Sequence, residues 1–223
     1  MQEIDILVDE TNGNYIKDIN PFYRYENSNI KNDVITFYLQ YNQLKNLYRQ
    51  GYLKVRLGLE WKDKCESVAD HSWALAMLAM SIIEKYELDL DMNKCIKLGL
   101  IHELGEIYSG DYTPQDNISP KNKHNIEREN IKKLLDTVSF GNDFLELWEE
   151  FEEEKTPESI FMKELDKLEF LLQSACYELD VQYLTYSKSK IKSPIFIQIL
   201  DELLGMTKNK KLPKNLINSE GNI

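Results

Sequence analysis

Apolar residues along most of this chain recur every three to four positions, and no segment shows sustained strand alternation, so the pattern predicts helices. From Ile30 to Gln50 the series Val34-Ile35, Tyr38-Leu39, Tyr41, Leu44 and Leu47-Tyr48 describes one amphipathic helix, with Gly51 as its C′ stop. A connector, Tyr52 to Glu66, gathers Lys54, Arg56, Lys62 and Lys64. Ser67 reads as an N-cap, and Asp70, three positions on, closes a capping box of the shorter carboxylate type. The helix it starts, Val68 to about Tyr86, is apolar nearly all round and is predicted to be central, with Trp73 in the core. A second buried helix, Asn93 to Tyr108, carries the run Cys95 to Ile101 and then His102-Glu103.

The rest of the chain continues in the same style. A loop from Tyr108 to Lys123 holds Gly110, Pro114 and Pro120, and its length suggests function. A polar helix from about Lys123 to Asp136 precedes another from Asn142 to Glu154, whose acidic run reads as a solvated face. Thr156 as N-cap, Pro157 at the first helical position and Glu158 in the first turn announce a helix reaching about Tyr177. Pro194 to Met206 forms the last amphipathic helix, with exposed apolar positions that would suit self-association. Residues 1–28 lack clear periodicity and are compatible with a short strand or hairpin around Ile4–Leu7 and Tyr15–Ile16. The expected class is all-α, a helical bundle: an extension at 1–28, one domain at 29–207 and a polar tail at 208–223.

Composition narrows the partners. The 223 residues carry a formal charge of −11, which argues against a nucleic-acid polymer or an anionic membrane, though not against a small phosphorylated substrate in a local cationic pocket. The N-terminus is acidic and lacks a signal peptide's basic and apolar regions, and the longest apolar run, Trp73 to Ile83, is short of the roughly 20 residues of a membrane span. Cys65, Cys95 and Cys176 show no CxxC spacing; as reduced thiols, two of them in apolar helical patterns, they suit the cytoplasm.

The candidate chemistry centres on HELGEIYSGD, His102 to Asp111. Positions i and i+4 of a helix share a face, so His102 and Glu106 look the same way, and Glu103, rotated by about 100°, reaches the same ion from the rim. The chain has three histidines. His71 lies in the first turn of the most apolar helix and His102 near the end of the next, while Asp166 interrupts the third strong helix between Leu165 and Leu168. Singly each has a plain explanation: a carbonyl satisfies the histidine, Lys163 or Lys167 pairs with Asp166, and Glu103 and Glu106 edge a helix. Jointly, two imidazoles and two carboxylates make an N2O2 set for a divalent transition metal. After His71 and His102 only His124 remains, in a polar helix.

The series Glu66-Ser67-Val68-Ala69-Asp70-His71, Leu100-Ile101-His102-Glu103, Glu106, Gly110-Asp111, Pro114 and Leu165-Asp166 resembles the HD-domain metal-dependent phosphohydrolases, and within them the 5′-deoxynucleotidase branch. The resemblance spans roughly Leu44 to Leu179. It implies that His71, His102, Glu103 and Asp166 hold one metal ion (Mn, Co, Fe, Ni or Zn), that Glu106 and Asp111 form the acid/base pair beside the attacking water, and that Arg56 faces the substrate phosphate. It further implies a homodimer. One departure stands out: the family has His-Asp where this chain has His102-Glu103, an extra methylene of about 1.5 Å. The expected activity is release of phosphate from deoxynucleoside 5′-monophosphates, with Lys54 or Lys123 assisting the arginine; the alternative is a degenerate member that binds a nucleotide without turnover.

Overall fold

Helices dominate, as the periodicity requires. The computed structural model of this chain describes residues 7–25, 28–54, 59, 62–177 and 188–208. It falls into two compact units, Met1–Lys163 and Glu164–Ile223. No helix among the described residues is long and apolar enough to cross a membrane.

In the first unit a two-stranded antiparallel hairpin, β1 (Leu7–Asp9) and β2 (Asn14–Ile16), precedes the helices. Its second strand contains the expected Tyr15–Ile16, and its first begins at the end of the expected Ile4–Leu7 stretch, whose residues before Leu7 lie outside the described ones. The single helix expected over Ile30–Gln50 is three pieces: α1 (Asp33–Tyr41), α2 (Gln43–Asn46) and α3 (Gln50–Tyr52). Between α2 and α3 the backbone turns extended at Leu47, which bridges Ile16, while Tyr48 bridges Ser67. Leu47 and Tyr48 are buried there, so sheet-like pairing on two sides overrides the local helical preference. Gly51 therefore sits inside a helical turn and is no C′ stop.

α4 (Val68–Tyr86) begins where the capping box places it: Ser67 Oγ accepts from the Asp70 N–H and the Asp70 carboxylate accepts from the Ser67 N–H. Its buried stripe, Val68, Leu75, Ala79 and Ile82, contributes about 1.5–3 kcal/mol per large apolar side chain. Trp73, expected in the core, is 63 % exposed, because it faces away from that stripe. α5 (Met92–Ile101) crosses α4 closely at Gly99, where a Cβ would stand 3.3 Å from the Ala76 nitrogen.

The helix expected to run on to Tyr108 stops at Ile101. Residues 102–105 form tight turns with i to i−3 bonds (Leu104 N–H to Ile101 O, Glu106 N–H to Glu103 O), and α6 (Glu106–Ser109) follows. α7 (Pro120–Leu135) starts at the Ser119 cap, three residues before the expected Lys123. α8 (Gly141–Glu152) is not merely a solvated acidic face: Glu149 pairs with Arg128, Glu150 with Lys94 and Glu152 with Lys163. α9 (Pro157–Cys176) carries the expected Thr156 cap, whose Oγ1 accepts from Ser159 N–H at 3.2 Å. The core of the first unit includes Phe37, Leu47, Val68, Ile101, Ile131 and Trp148.

In the second unit α10 (Pro194–Lys208) buries Phe196, Leu200 and Leu204, and Glu164 accepts from the Ser193 N–H just before it. The apolar positions expected to be free for self-association are thus mostly turned inward, with Met206 exposed. Of the thiols, Cys65 and Cys95 are buried and Cys176 is exposed.

Candidate metal centre

Two helix ends create the centre. His71 sits in the first turn of α4, fully buried. His102 caps the C-terminus of α5, and the small residues at the Gly99–Ala76 crossing bring the two rings to a centroid distance of 5.4 Å. The backbone of His102 is pinned from behind by Trp148, whose Nε1–H donates to the His102 carbonyl at 3.0 Å. Its ring is oriented by the Gly99 carbonyl, 2.8 Å from Nδ1. A carbonyl only accepts, so Nδ1 carries a hydrogen and Nε2 is the ring atom turned toward the centre.

Nε2 faces a carboxylate. Glu103 Oε1 lies 3.3 Å from His102 Nε2 and 3.7 Å from His71 Nε2. Ligand atoms from these three residues all lie within 4.8 Å of one another. His102 Nε2 and Glu106 Oε2 are buried without a hydrogen-bond partner among the described residues. Two imidazole nitrogens and a carboxylate oxygen thus converge on one buried point, the arrangement in which ligands hold a cation. The longer arm of Glu103 therefore does not carry its oxygens past the imidazoles; it meets both.

The wider cluster is rich in carboxylates. Arg49, 15 % exposed, donates to Glu103 Oε1 at 3.1 Å and approaches Asp111 Oδ1 at 3.9 Å and Glu66 Oε1 at 3.8 Å. From α7, Lys123 reaches Glu106 at 3.6 Å and Glu127 at 3.3 Å. Five carboxyls, of Glu66, Glu103, Glu106, Asp111 and Glu127, thus meet two cations, Arg49 and Lys123, in these pairings. The crowding of carboxyl oxygens, the unsatisfied His102 Nε2 and the N/O donor set fit a divalent metal ion.

The carboxyls are not equivalent. Burial opposes the charge of Glu103, but His102, Arg49 and His71 outweigh it and hold this carboxyl well below the usual range. Burial, reinforced by Glu103 and Asp111, pushes Glu106 well above it. Asp111 is raised by burial against the pull of Arg49. Burial also lifts Glu127 to about 7 despite Lys123. Environments that drive neighbouring carboxyls apart are those from which acid and base roles are made.

Of the expected site residues, His71, His102, Glu103, Glu106 and Asp111 come together in the first unit. Asp166 is half-buried on α9, in the second unit. Arg56 lies outside the described residues, and Lys54 lies over the Tyr15 ring. His124 has structural partners, stacking on Trp148 and meeting Glu152 at 3.4 Å. Sequence reasoning missed Arg49, Gln50, Glu66 and Glu127; an arginine between buried Leu47-Tyr48 and Gln50 was the available signal, masked by the helical reading of that stretch.

A model of the HD domain family matches residues 41–199. The chain is 36% identical over 167 residues to 5′-deoxynucleotidase HDDC2 of Dictyostelium discoideum, covering 71% of this chain and 84% of that one. It is 31% identical over 171 residues to 5′-deoxynucleotidase HDDC2 of Homo sapiens, covering 72% and 79%. Among solved structures, a conserved hypothetical protein from Pyrococcus furiosus superposes with a TM-score of 0.61 at 25% identity, covering 77% of this chain and 99% of that one.

Proposed function

We infer the function from two premises: this chain belongs to the HD-domain family, and its centre joins two imidazoles to a carboxylate with four further carboxyls around it. They support a metal-dependent phosphomonoester hydrolase that releases phosphate from deoxynucleoside 5′-monophosphates. The reach of Glu103 carries the reading, because its oxygen meets both Nε2 atoms although the residue is longer than the family aspartate. His71, His102 and Glu103 would hold one divalent transition metal ion (Mn, Co, Fe, Ni or Zn), with Asp166 as the fourth ligand. When bound, such an ion polarises a phosphoryl oxygen and acidifies water.

The chain's own groups supply the rest. A raised pKa makes the Glu106 carboxylate a stronger proton acceptor than an ordinary glutamate, suited to deprotonating the attacking water. Asp111, whose Oδ2 accepts from the Gln50 N–H at 2.8 Å, delivers a proton to the leaving 5′-oxygen. Arg49 and Lys123, with Arg56 from the connector, neutralise the phosphate oxygens. Exposed Trp73, Met77 and Met80 on α4 and Leu100 on α5 support a homodimer, and the buried thiols of Cys65 and Cys95 a cytoplasmic location.

The test is phosphate release from a panel of deoxy- and ribonucleoside 5′-monophosphates with Mn²⁺ or Co²⁺, against a chelator control. Metal-dependent release favouring the deoxy substrates is expected. Metal retention with no release from any nucleotide would overturn the hydrolase and leave a nucleotide-binding regulatory protein.

A further inference from the structure

The hairpin β1–β2 ends before the family match begins at residue 41, yet it is bonded to both segments that flank the centre. Toward residues 46–50, Lys17 N–H donates to the Asn46 carbonyl at 2.7 Å. There Tyr15 and the side chain of Gln50 exchange two hydrogen bonds of 2.8 Å, Tyr15 N–H to Oε1 and Nε2–H to the Tyr15 carbonyl. The same Nε2 donates to the Tyr48 carbonyl at 2.8 Å, so the fully buried carboxamide is satisfied at both ends. Toward residues 108–111, Asn14 Nδ2 approaches the Ser109 carbonyl at 3.4 Å and Asn12 Nδ2 the Tyr108 carbonyl at 3.4 Å. Gly110 has φ of +78°, and a Cβ there would stand 2.1 Å from Asn14 Nδ2. The turn before Asp111 thus has the shape of this hairpin moulded into it.

Between those two contacts lies one carboxylate. The Gln50 N–H donates to Asp111 Oδ2 at 2.8 Å, and its neighbour Arg49 faces Asp111 Oδ1. We propose that the N-terminal hairpin is a working part of the active site, with Gln50 as the positioning residue that transmits its hold to the Asp111 carboxylate. The inference rests on the reading of Asp111 as a proton donor given above. Neither Asn14 nor Gln50 touches substrate in this account; both act by fixing where Asp111 can be. A carboxyl displaced by about 1 Å costs on the order of a hundredfold in turnover, so a brace of this kind matters to rate more than to fold.

The test is a double-mutant cycle on the full chain, read by phosphate release from 2′-deoxyadenosine 5′-monophosphate with Co²⁺ and by hydrogen exchange of the metal-free protein. Gln50→Leu removes the three side-chain bonds at similar volume. It is expected to lower kcat roughly tenfold to a hundredfold with KM within about threefold, and to speed exchange of the 109–112 amides about tenfold while those of α4 stay unchanged. In an Asp111→Asn background the same change should cost less than about threefold, since its route is already cut. Asn14→Ala, which spares Gln50, should act in the same direction with smaller size and carries the test if Gln50→Leu fails to fold. Equal losses in both backgrounds, or unchanged exchange at 109–112 in both variants, would overturn the brace while the hydrolase reading stands. An Asp111→Asn protein with full turnover would overturn the role of Asp111, and the brace with it.

Discussion

The centre has two banks built on different principles. On one, His71 and His102 project from the ends of α4 and α5, and each is fixed by regular structure: a helix turn, a Gly99–Ala76 crossing, a carbonyl behind the ring and the Trp148 indole behind the backbone. On the other, Arg49, Glu106, Asp111, Lys123 and Glu127 come from an extended link, a short helix, a loop and the N-terminal half of α7, and they are held mainly by one another. The first bank is set by regular structure, and the second is a network of carboxyls and cations. A bank fixed by regular structure suits retention of an ion, and a network of carboxyls and cations suits movement of protons. Affinity and turnover should therefore separate by mutation.

The largest effect is expected on the imidazole bank. His102→Ala should abolish retention of metal through desalting and lower kcat/KM by about a thousandfold or more, as removal of a ligand does. Metal content by elemental analysis beside phosphate release checks both; a variant that keeps stoichiometric metal would remove His102 from the ligand set. The next effect belongs to the charged bank. Arg49→Ala should lower kcat/KM by roughly a hundredfold with metal content kept, and Arg49→Lys should recover only part, because an ammonium lacks the planar fork that serves several carboxylates. Loss of metal in Arg49→Ala would mean that the two banks are one structure and would undo the comparison.

The same division explains what could be read from the sequence. Helical periodicity and caps located α4, α8, α9 and α10 to within a residue or two, because burial stripes and Ser67, Thr156 and Pro157 act locally. The imidazole bank was legible by the same means, since its histidines stand at the ends of apolar helices. Of the charged bank, Glu106, Asp111 and Lys123 were among the expected residues, and Arg49 and Glu127 were not. Arg49 faces the centre because Leu47 pairs with Ile16 and Tyr48 with Ser67, and those pairings join residues far apart in the chain. A periodic run from Val34 to Tyr48 has no mark showing that it will break at Asn42 to make them. The tight turns at 102–105 escaped for a related reason: Trp148 and Asn130, which accommodate the turn by binding the His102 and Gly105 carbonyls, come from α8 and α7.

The smallest expected effect tests whether the charged bank costs stability. Glu127 is raised to about 7 from an ordinary 4.5, by burial first and against the pull of Lys123. An acid whose folded pKa is raised holds a proton that the unfolded chain releases from about pH 4.5 upward. Its contribution to stability is thus fully present below that pH, declines as pH rises toward 7, and stays lost above it. Glutamine keeps the size and cannot ionise. The difference in unfolding free energy between Glu127→Gln and the native chain, measured by urea denaturation of metal-free protein, should grow from near zero at pH 4.5 to on the order of 1–3 kcal/mol in favour of glutamine by pH 7, then level off. A variant less stable than the native chain above pH 7 would mean that the 3.3 Å pair with Lys123 outweighs the desolvation of the carboxylate, and that the bank is held together by its charges rather than in spite of them.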